Sequence, residues 1–406
     1  MLQKQNATKK YKTGANMGKK RKEIQIDNIE NVKQIHRKSS DVISHTTARF
    51  GGSDDEKKAL NIYENSLKNM GVKTFTHSFT VRPHSKYGWI YFVSTFTLLA
   101  HILFFFAPAF AIASLAIGLL TWLCTAVFNI PILSPLFDKF VSHNSWAELS
   151  PSQTVKARLI LSTHIDNRYE HTFSKMGGVA LDLAIFVVVI VANILMLALS
   201  IVTCAIQSGV GVVQGPLLYI GLAFLIFAPV EICLYFAINF AKVDTHNGNL
   251  NACDVLLSCT QQIIDQPMQN LQVVTLFLGS KENNLQGAKE FVIHDDFDKD
   301  IPTYVVDLDN LESTNINISS RELPYGEKPS KRLSSVVSAS CNQNDITVTA
   351  KDQLFACRQS TVFRRQGFDS VSLASNNENT LTDDDIQKLA TMLTNVAYTM
   401  DNNLNK

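Results

Sequence analysis

From Tyr87 to Phe137 the sequence contains no Asp, Glu, Lys or Arg, a run of 51 uncharged residues. A helix on a solvated surface keeps one charged or polar face, so a gap this long excludes an ordinary soluble surface. A second stretch, Met176 to Ala241, holds only two charges, Asp182 and Glu231. About 20 apolar residues cross a bilayer core, so each stretch has the length for two helices. Membrane spans are expected at 89–107, 110–130, 178–204 and 216–241. Pro108 marks the first turn and the glycine-rich Gln207-Ser-Gly-Val-Gly-Val-Val-Gln-Gly215 the second.

Other absences narrow the class. The seven cysteines are an odd number without CxxC spacing; nothing in them suggests a disulfide framework, which fits a reducing compartment. Cys124, Cys204 and Cys233 fall in apolar stretches, where cysteine behaves as a small hydrophobe. Net charge is only +1, which gives no argument for nucleic acid. Residues 1–38 carry eleven Lys or Arg against Glu23, Asp27 and Glu30, with a cluster at Lys19-Lys20-Arg21-Lys22. No apolar segment follows as in a secretory signal, so this reads as a solvated basic tail or a membrane-surface element. Met17 is an alternative start.

The two loops expected on the far side of the membrane contain no Lys or Arg, whereas Arg82, Lys86, Lys139, Lys175 and Lys242 flank the spans on the near side. The positive-inside rule then makes the soluble part cytoplasmic, in a multi-pass protein of the plasma membrane. Glu231, two residues after Pro229, is the polar exception well inside the fourth span. It is either a proton or substrate site or a neutral acid bonded to backbone that the proline frees. Asp182, near a helix start, is expected to reach the interface.

The expected domains are a tail at 1–38, hairpins at 88–136 and 177–241, and one discontinuous domain from 39–87, 137–176 and 242–406. In that domain, Asp54, Asp55 and Glu56 open a helix to Met70, and Gly71 stops it. Strands are expected at 72–81, 158–165, 273–278, 304–308, 346–350 and 370–374, and helices at 252–264, 285–291 and 382–400. Residues 312–343 read as a loop with a short helix. Strands alternating with helices predict an α/β fold, a mostly parallel central sheet with helices on both faces, interrupted by four transmembrane helices. Ligands of such sheets bind at strand C-termini, where His164, Lys281-Glu282 and Asp309 fall.

Five blocks in this order resemble the di-zinc aminopeptidase family, which includes glutamate carboxypeptidase-like and glutaminyl-cyclase-like members. They are Arg49-Phe-Gly-Gly-Ser53 with its helix, Leu161-Ser-Thr-His164-Ile-Asp166, Leu276-Phe-Leu-Gly-Ser-Lys281-Glu282-Asn-Asn-Leu-Gln-Gly287, Val306-Asp-Leu-Asp309, and Thr361-Val-Phe363 through Leu373. The resemblance covers about residues 36–406 without the spans, and it implies the zinc aminopeptidase fold.

By the same resemblance His164, Glu282 and Asp309 keep metal-ligand residue types, and Asp166 is the acid that orients the histidine. Three positions depart from the family. Gly248 stands at the bridging aspartate, Lys281 at the general-base glutamate and Ser360 at the final histidine, and no histidine follows His294. A two-metal site needs a bridging ligand and enough negative charge for two dications. An ammonium about 5 Å from a dication costs on the order of 6 kcal/mol at an effective dielectric near 20. Asp244 and His246 are the available substitutes, which with the three retained ligands would hold one zinc ion. The resemblance therefore implies either a non-catalytic binding or scaffolding protein without a metal, its partner a peptide or another membrane protein, or a metallopeptidase with a rearranged one-zinc site.

Overall fold

A computed structural model describes residues 39–40, 42–128, 130–207, 209–243, 248–294, 300–322, 328–353, 358–375 and 381–405. Helix α1 (Asp54–Asn69) is capped by the Ser53 side chain, which accepts from the Glu56 N–H, and carries three acids in its first turn. Gly71 stops it at a φ of +78°, where a side chain would be strained. Strand β1 (Thr74–Val81) follows, and then a departure into two apolar helices, α2 (Gly88–Phe104) and α3 (Pro108–Trp122), the latter extended by a π-turn to Val127. The chain returns in β2 (Phe140–Leu149), which pairs antiparallel with all of β1, Val81 opposite Phe140. The first apolar hairpin is thus an insertion between two neighbouring strands.

The second is built the same way. After β3 (Ala157–His164) the short β4 (Tyr169–His171) leads into α4 (Thr172–Ile206), with non-helical backbone at Gly177 and Gly178. The return runs from α5 (Pro216–Phe224) through 3₁₀ turns and α6 (Ala228–Cys233) to β5 (Ile238–Val243). His171 pairs with Ile238, so this excursion too leaves and re-enters at adjacent strand ends. Among the described residues, three helices are long and apolar enough to cross a membrane: Pro108–Val127, Thr172–Ile206 and Pro216–Phe236. Gly88–Phe104 is equally apolar but shorter, and the chain turns into β5 by Ile238, before the expected end of the fourth span at 241.

The remaining elements are α7 (Gly248–Asp265), β6 (Leu271–Leu278), α8 (Gln286–His294), β7 (Thr303–Asp309), β8 (Asn315–Glu322), α9 (Lys331–Gln343), β9 (Thr347–Gln353), α10 (Gln359–Arg365), β10 (Asp369–Ser375) and α11 (Asp383–Leu404). Eight strands form one sheet in the order β1-β2-β6-β3-β7-β10-β8-β9. Its centre, β6-β3-β7-β10, is parallel, while β1, β2 and β8 pair antiparallel, so the sheet is mixed and only its middle fits the mostly parallel expectation. All eight residues of β3 and of β6 are buried, which is why both read as unbroken apolar runs. Successive side chains serve opposite faces. Leu159 and Leu161 join the core under α1, α7, α9 and α11, and Ile160 joins the one under α8 and α10.

Two regions depart from expectation. The sequence pattern assigned no element to Phe140–Leu149, because Ser142, Asn144 and Ser145 interrupt its apolar positions. All three are buried, with Ser142 and Asn144 bonded to Glu56 and to the Gly287 carbonyl. In 312–343, expected as a loop with a short helix, the chain forms β8, which was not expected, and the thirteen-residue α9 capped by Ser330.

Candidate functional site

Strands β3, β6 and β7 deliver their C-terminal ends side by side at the middle of the sheet, because β3 lies between the other two. His164 is the last residue of β3 and fully buried. Its Nδ1 lies 3.1 Å from the Asp166 carbonyl and 3.2 Å from the Asp166 carboxylate, and its Nε2 lies 3.3 Å from Asp309 Oδ1 at the end of β7. Burial and the nearby Lys281 ammonium oppose a charge on this ring, but hydrogen bonds to Asp166 and Asp309 outweigh them and raise its pKa.

After β6 the loop 279–285 places Ser280, Asn284 and Leu285 in the left-handed region, at φ of 50°, 55° and 59°. Such backbone persists only where surroundings over-determine it. Here the Asp166 carboxylate accepts from the Lys281 N–H at 3.0 Å and the Glu282 N–H at 2.8 Å. Gly287 closes the loop, since a Cβ there would stand 2.0 Å from the Gly279 carbonyl oxygen. Asp166 therefore contacts both the histidine and the loop.

The loop aims Lys281 inward. Its ammonium donates to Asp309 Oδ1 at 2.8 Å and to Glu282 Oε1 at 3.0 Å. Lys86, at the root of the first apolar hairpin, donates to the other Glu282 oxygen at 3.0 Å, and Arg358 stands 3.7 Å from Asp309 Oδ2. Burial works against the Lys281 charge, yet Asp309 and Glu282 hold its pKa above the usual lysine range. Both carboxyls in turn sit well below theirs, against burial and chiefly through Lys281. Behind Asp166, burial and the Asp166 charge push the Glu56 carboxyl up to about 8, although it accepts from Gly52, Ser142 and Ser280.

The fold thus brings His164, Asp166, Glu282 and Asp309 together, but around an ammonium. Zinc binds carboxylate oxygen and imidazole nitrogen at about 2.0–2.2 Å. An ion at that distance from Asp309 and Glu282 would occupy the space of Lys281 Nζ, and the His164 nitrogen that would face it points instead at Asp309. The donor set as arranged does not fit a zinc ion. Among the described residues no three His, Cys, Asp or Glu side chains converge as metal ligands.

Gly248 begins α7, and the next residue, Asn249, reaches the cluster, donating to the Asp166 carbonyl at 2.9 Å. Ser360 is buried in α10 and its carbonyl accepts from Ser370, while Arg358 just before that helix is the side chain that approaches Asp309. Asp244 and His246 lie outside the described residues. Lys86, Glu56, Asn249 and Arg358 were missed as site residues. Lys86 stood out only as a span-flanking charge, and the others have no local motif.

Asp182 was expected near a helix start; it lies ten residues into α4, past the break at Gly177 and Gly178, and 2.9 Å from His171. Glu231 has an ionisable neighbour that the sequence did not suggest: His101 of α2, its Nδ1 3.4 Å from Glu231 Oε2.

Comparison with known proteins follows the same lines. Residues 249–400 match the model of Peptidase family M28. No curated protein matches the chain in sequence. Among solved structures, an aminopeptidase from Aneurinibacillus sp. strain AM-1 superposes with a TM-score of 0.51 at 9% identity, over 91% of this chain and 93% of that one. A zinc aminopeptidase from Bacillus subtilis gives 0.51 at 9% identity, over 91% and 95%. A Zn-dependent exopeptidase from Parabacteroides distasonis gives 0.50 at 9%, over 90% and 97%. At such identities the likeness is one of fold. The C-terminal part, residues 249–400, is thus similar to Peptidase family M28, and the chain as a whole shares the mixed α/β fold of zinc aminopeptidases.

Proposed function

We propose that the chain is an integral-membrane aminopeptidase-like protein that does not hydrolyse peptides and serves as a binding or scaffolding module for a peptide or another membrane protein. The observation that carries this reading is the Lys281 ammonium, 2.8 Å from Asp309 and 3.0 Å from Glu282, where a peptidase of this type needs its metal. A cation built into the chain neutralises the retained carboxylates, and it supplies no open coordination position to polarise a carbonyl.

Four membrane helices belong to the proposal, the short Gly88–Phe104 completing the first hairpin beside the three longer candidates. So does a discontinuous soluble domain of 39–87, 137–176 and 242–406. Pairing of β1 with β2 and of β4 with β5 supports it, since each hairpin returns where it left. Cytoplasmic placement at the plasma membrane rests on the basic residues flanking the spans.

Elemental analysis of detergent-purified protein after zinc supplementation tests the reading, with Lys281→Ala and His164→Ala alongside. Less than about a tenth of an equivalent in the wild type is expected. Near one equivalent, lost in His164→Ala, would overturn it and favour a metallopeptidase whose remaining ligands come from Asp244 and His246.

A further inference from the structure

Both apolar hairpins leave the soluble domain at the end of the sheet that carries the candidate site. Val81 at the end of β1 faces Phe140 at the start of β2, and β2 runs antiparallel to β6, so both lie at the C-terminal end of β6. His164 at the end of β3 pairs with Leu278 at that same end, and β4 leads on into the second hairpin. Aromatic rings mark the level at which the apolar segments begin. Tyr91 of α2 lies 5.9 Å from Tyr235 and 6.1 Å from Phe240 of β5, and Tyr87 lies 6.3 Å from Phe240. Such amphipathic rings collect at the headgroup level of membrane helices.

At this level two cations, one from each hairpin root, share a neighbour. Lys86 Nζ stands 5.5 Å from the centre of the Tyr87 ring, and Tyr87 lies within electrostatic range of Arg168 as well. Arg168 is exposed in the link between β3 and β4. The acids in the same range are Glu282 and Asp166, and both are engaged. Glu282 is bonded by Lys281 and Lys86, and Asp166 accepts from two backbone N–H groups and faces His164. Of the other acids at this end, Glu170 is bonded by Lys175 at 2.8 Å, and Asp138 is followed by Lys139. Lys86 spends one of its three N–H bonds on Glu282, and 28% of its side chain stays exposed. A phosphate group complements this arrangement, because its oxygens accept charge-assisted bonds from ammonium and guanidinium together. At headgroup depth the phosphate at hand is that of a lipid.

We propose that Lys86 and Arg168, on either side of Tyr87, form a binding site for the phosphate of an anionic phospholipid, at the hairpin roots beside the charged sheet end. The inference rests on the membrane insertion proposed above and is independent of whether the soluble site holds a metal.

Electron spin resonance of the full chain in phosphatidylcholine vesicles tests it, with spin-labelled phosphatidic acid and spin-labelled phosphatidylcholine as probes. The protein should immobilise phosphatidic acid about threefold or more in preference to phosphatidylcholine. Lys86→Gln and Arg168→Gln should each lower that preference, and the double variant should bring it to parity. Lys175→Gln combined with Lys242→Gln removes two exposed cations elsewhere along the boundary and should leave the preference in place. Equal immobilisation of the two lipids by the wild type, a preference kept by the Lys86–Arg168 double variant, or an equal loss in the Lys175–Lys242 variant would each overturn the proposal. Loss of the preference on adding inorganic phosphate at matched ionic strength would also overturn it, by making the ligand a soluble phosphate. Absence of any immobilised lipid would instead refute membrane insertion, and this inference with it. Matching melting curves, and a preference retained in Arg168→Lys, separate loss of the site from misfolding.

Discussion

The sheet end and the bundle of apolar helices each bury ionisable groups, and they treat them oppositely. At the sheet end Asp309 and Glu282 each have a cation: Lys281 lies between them, Lys86 closes Glu282, and Arg358 approaches Asp309. In the bundle, Glu231 has no cation other than a ring 3.4 Å away and makes no hydrogen bond at all. A saturated charge cluster is locked, because moving any member strands another. A buried acid without a hydrogen-bond partner has no such lock. The sheet end is therefore held by ion pairs on every side, and the buried acid of the inserted bundle is not.

Breaking the locked cluster should produce the largest effect. Lys281→Met keeps the bulk but leaves Asp309 and Glu282 without their shared ammonium, which should cost about 3 kcal/mol or more in denaturant unfolding of the detergent-solubilised protein. A loss under about 1 kcal/mol would mean the cluster is not locked. Glu56 offers a pH-dependent version. Its folded pKa of about 8 lies above the ordinary carboxylate range, so the folded state holds a proton that the unfolded state releases. Stability should therefore fall as pH rises towards about 8, and Glu56→Gln should flatten that decline in melting curves taken from pH 5 to 9.

Lys86→Ala should matter less, by about 0.5–1 kcal/mol, since this ammonium is partly solvated and Glu282 retains Lys281. The same variant sharpens the comparison, because Lys86 ties the root of the first hairpin to the sheet end. Limited proteolysis near residues 82–88 should quicken. Smallest of all should be Glu231→Gln, within about 0.5 kcal/mol of wild type, because the carboxyl makes no hydrogen bond to lose. A large destabilisation there would make Glu231 a structural lock like Lys281 and erase the contrast.

Local pattern reached the central strands and the residues at their ends. His164, Asp166, Glu282 and Asp309 were legible because β3, β6 and β7 are buried on both faces and end in sudden polarity. The strand β2 was not, because its polar side chains are satisfied by Glu56 and Gly287, partners that no local window contains. His101 escaped notice for a related reason: a single histidine in an apolar run has no periodic signature until Glu231 is brought beside it. Lys281 was visible as a charge of the wrong sign, but not the space it fills.

The amino-acid sequence determined the membrane-compatible stretches, the α/β alternation and the residue types at the sheet end, since these depend on hydropathy and on neighbours close along the chain. Tertiary structure alone decided which groups neutralise one another. The Lys281 ammonium lies between Asp309 and Glu282, Lys86 reaches across from the hairpin root, and Glu231 finds His101. Electrostatic energy depends on separation in space and on burial, and neither is set by distance along the chain.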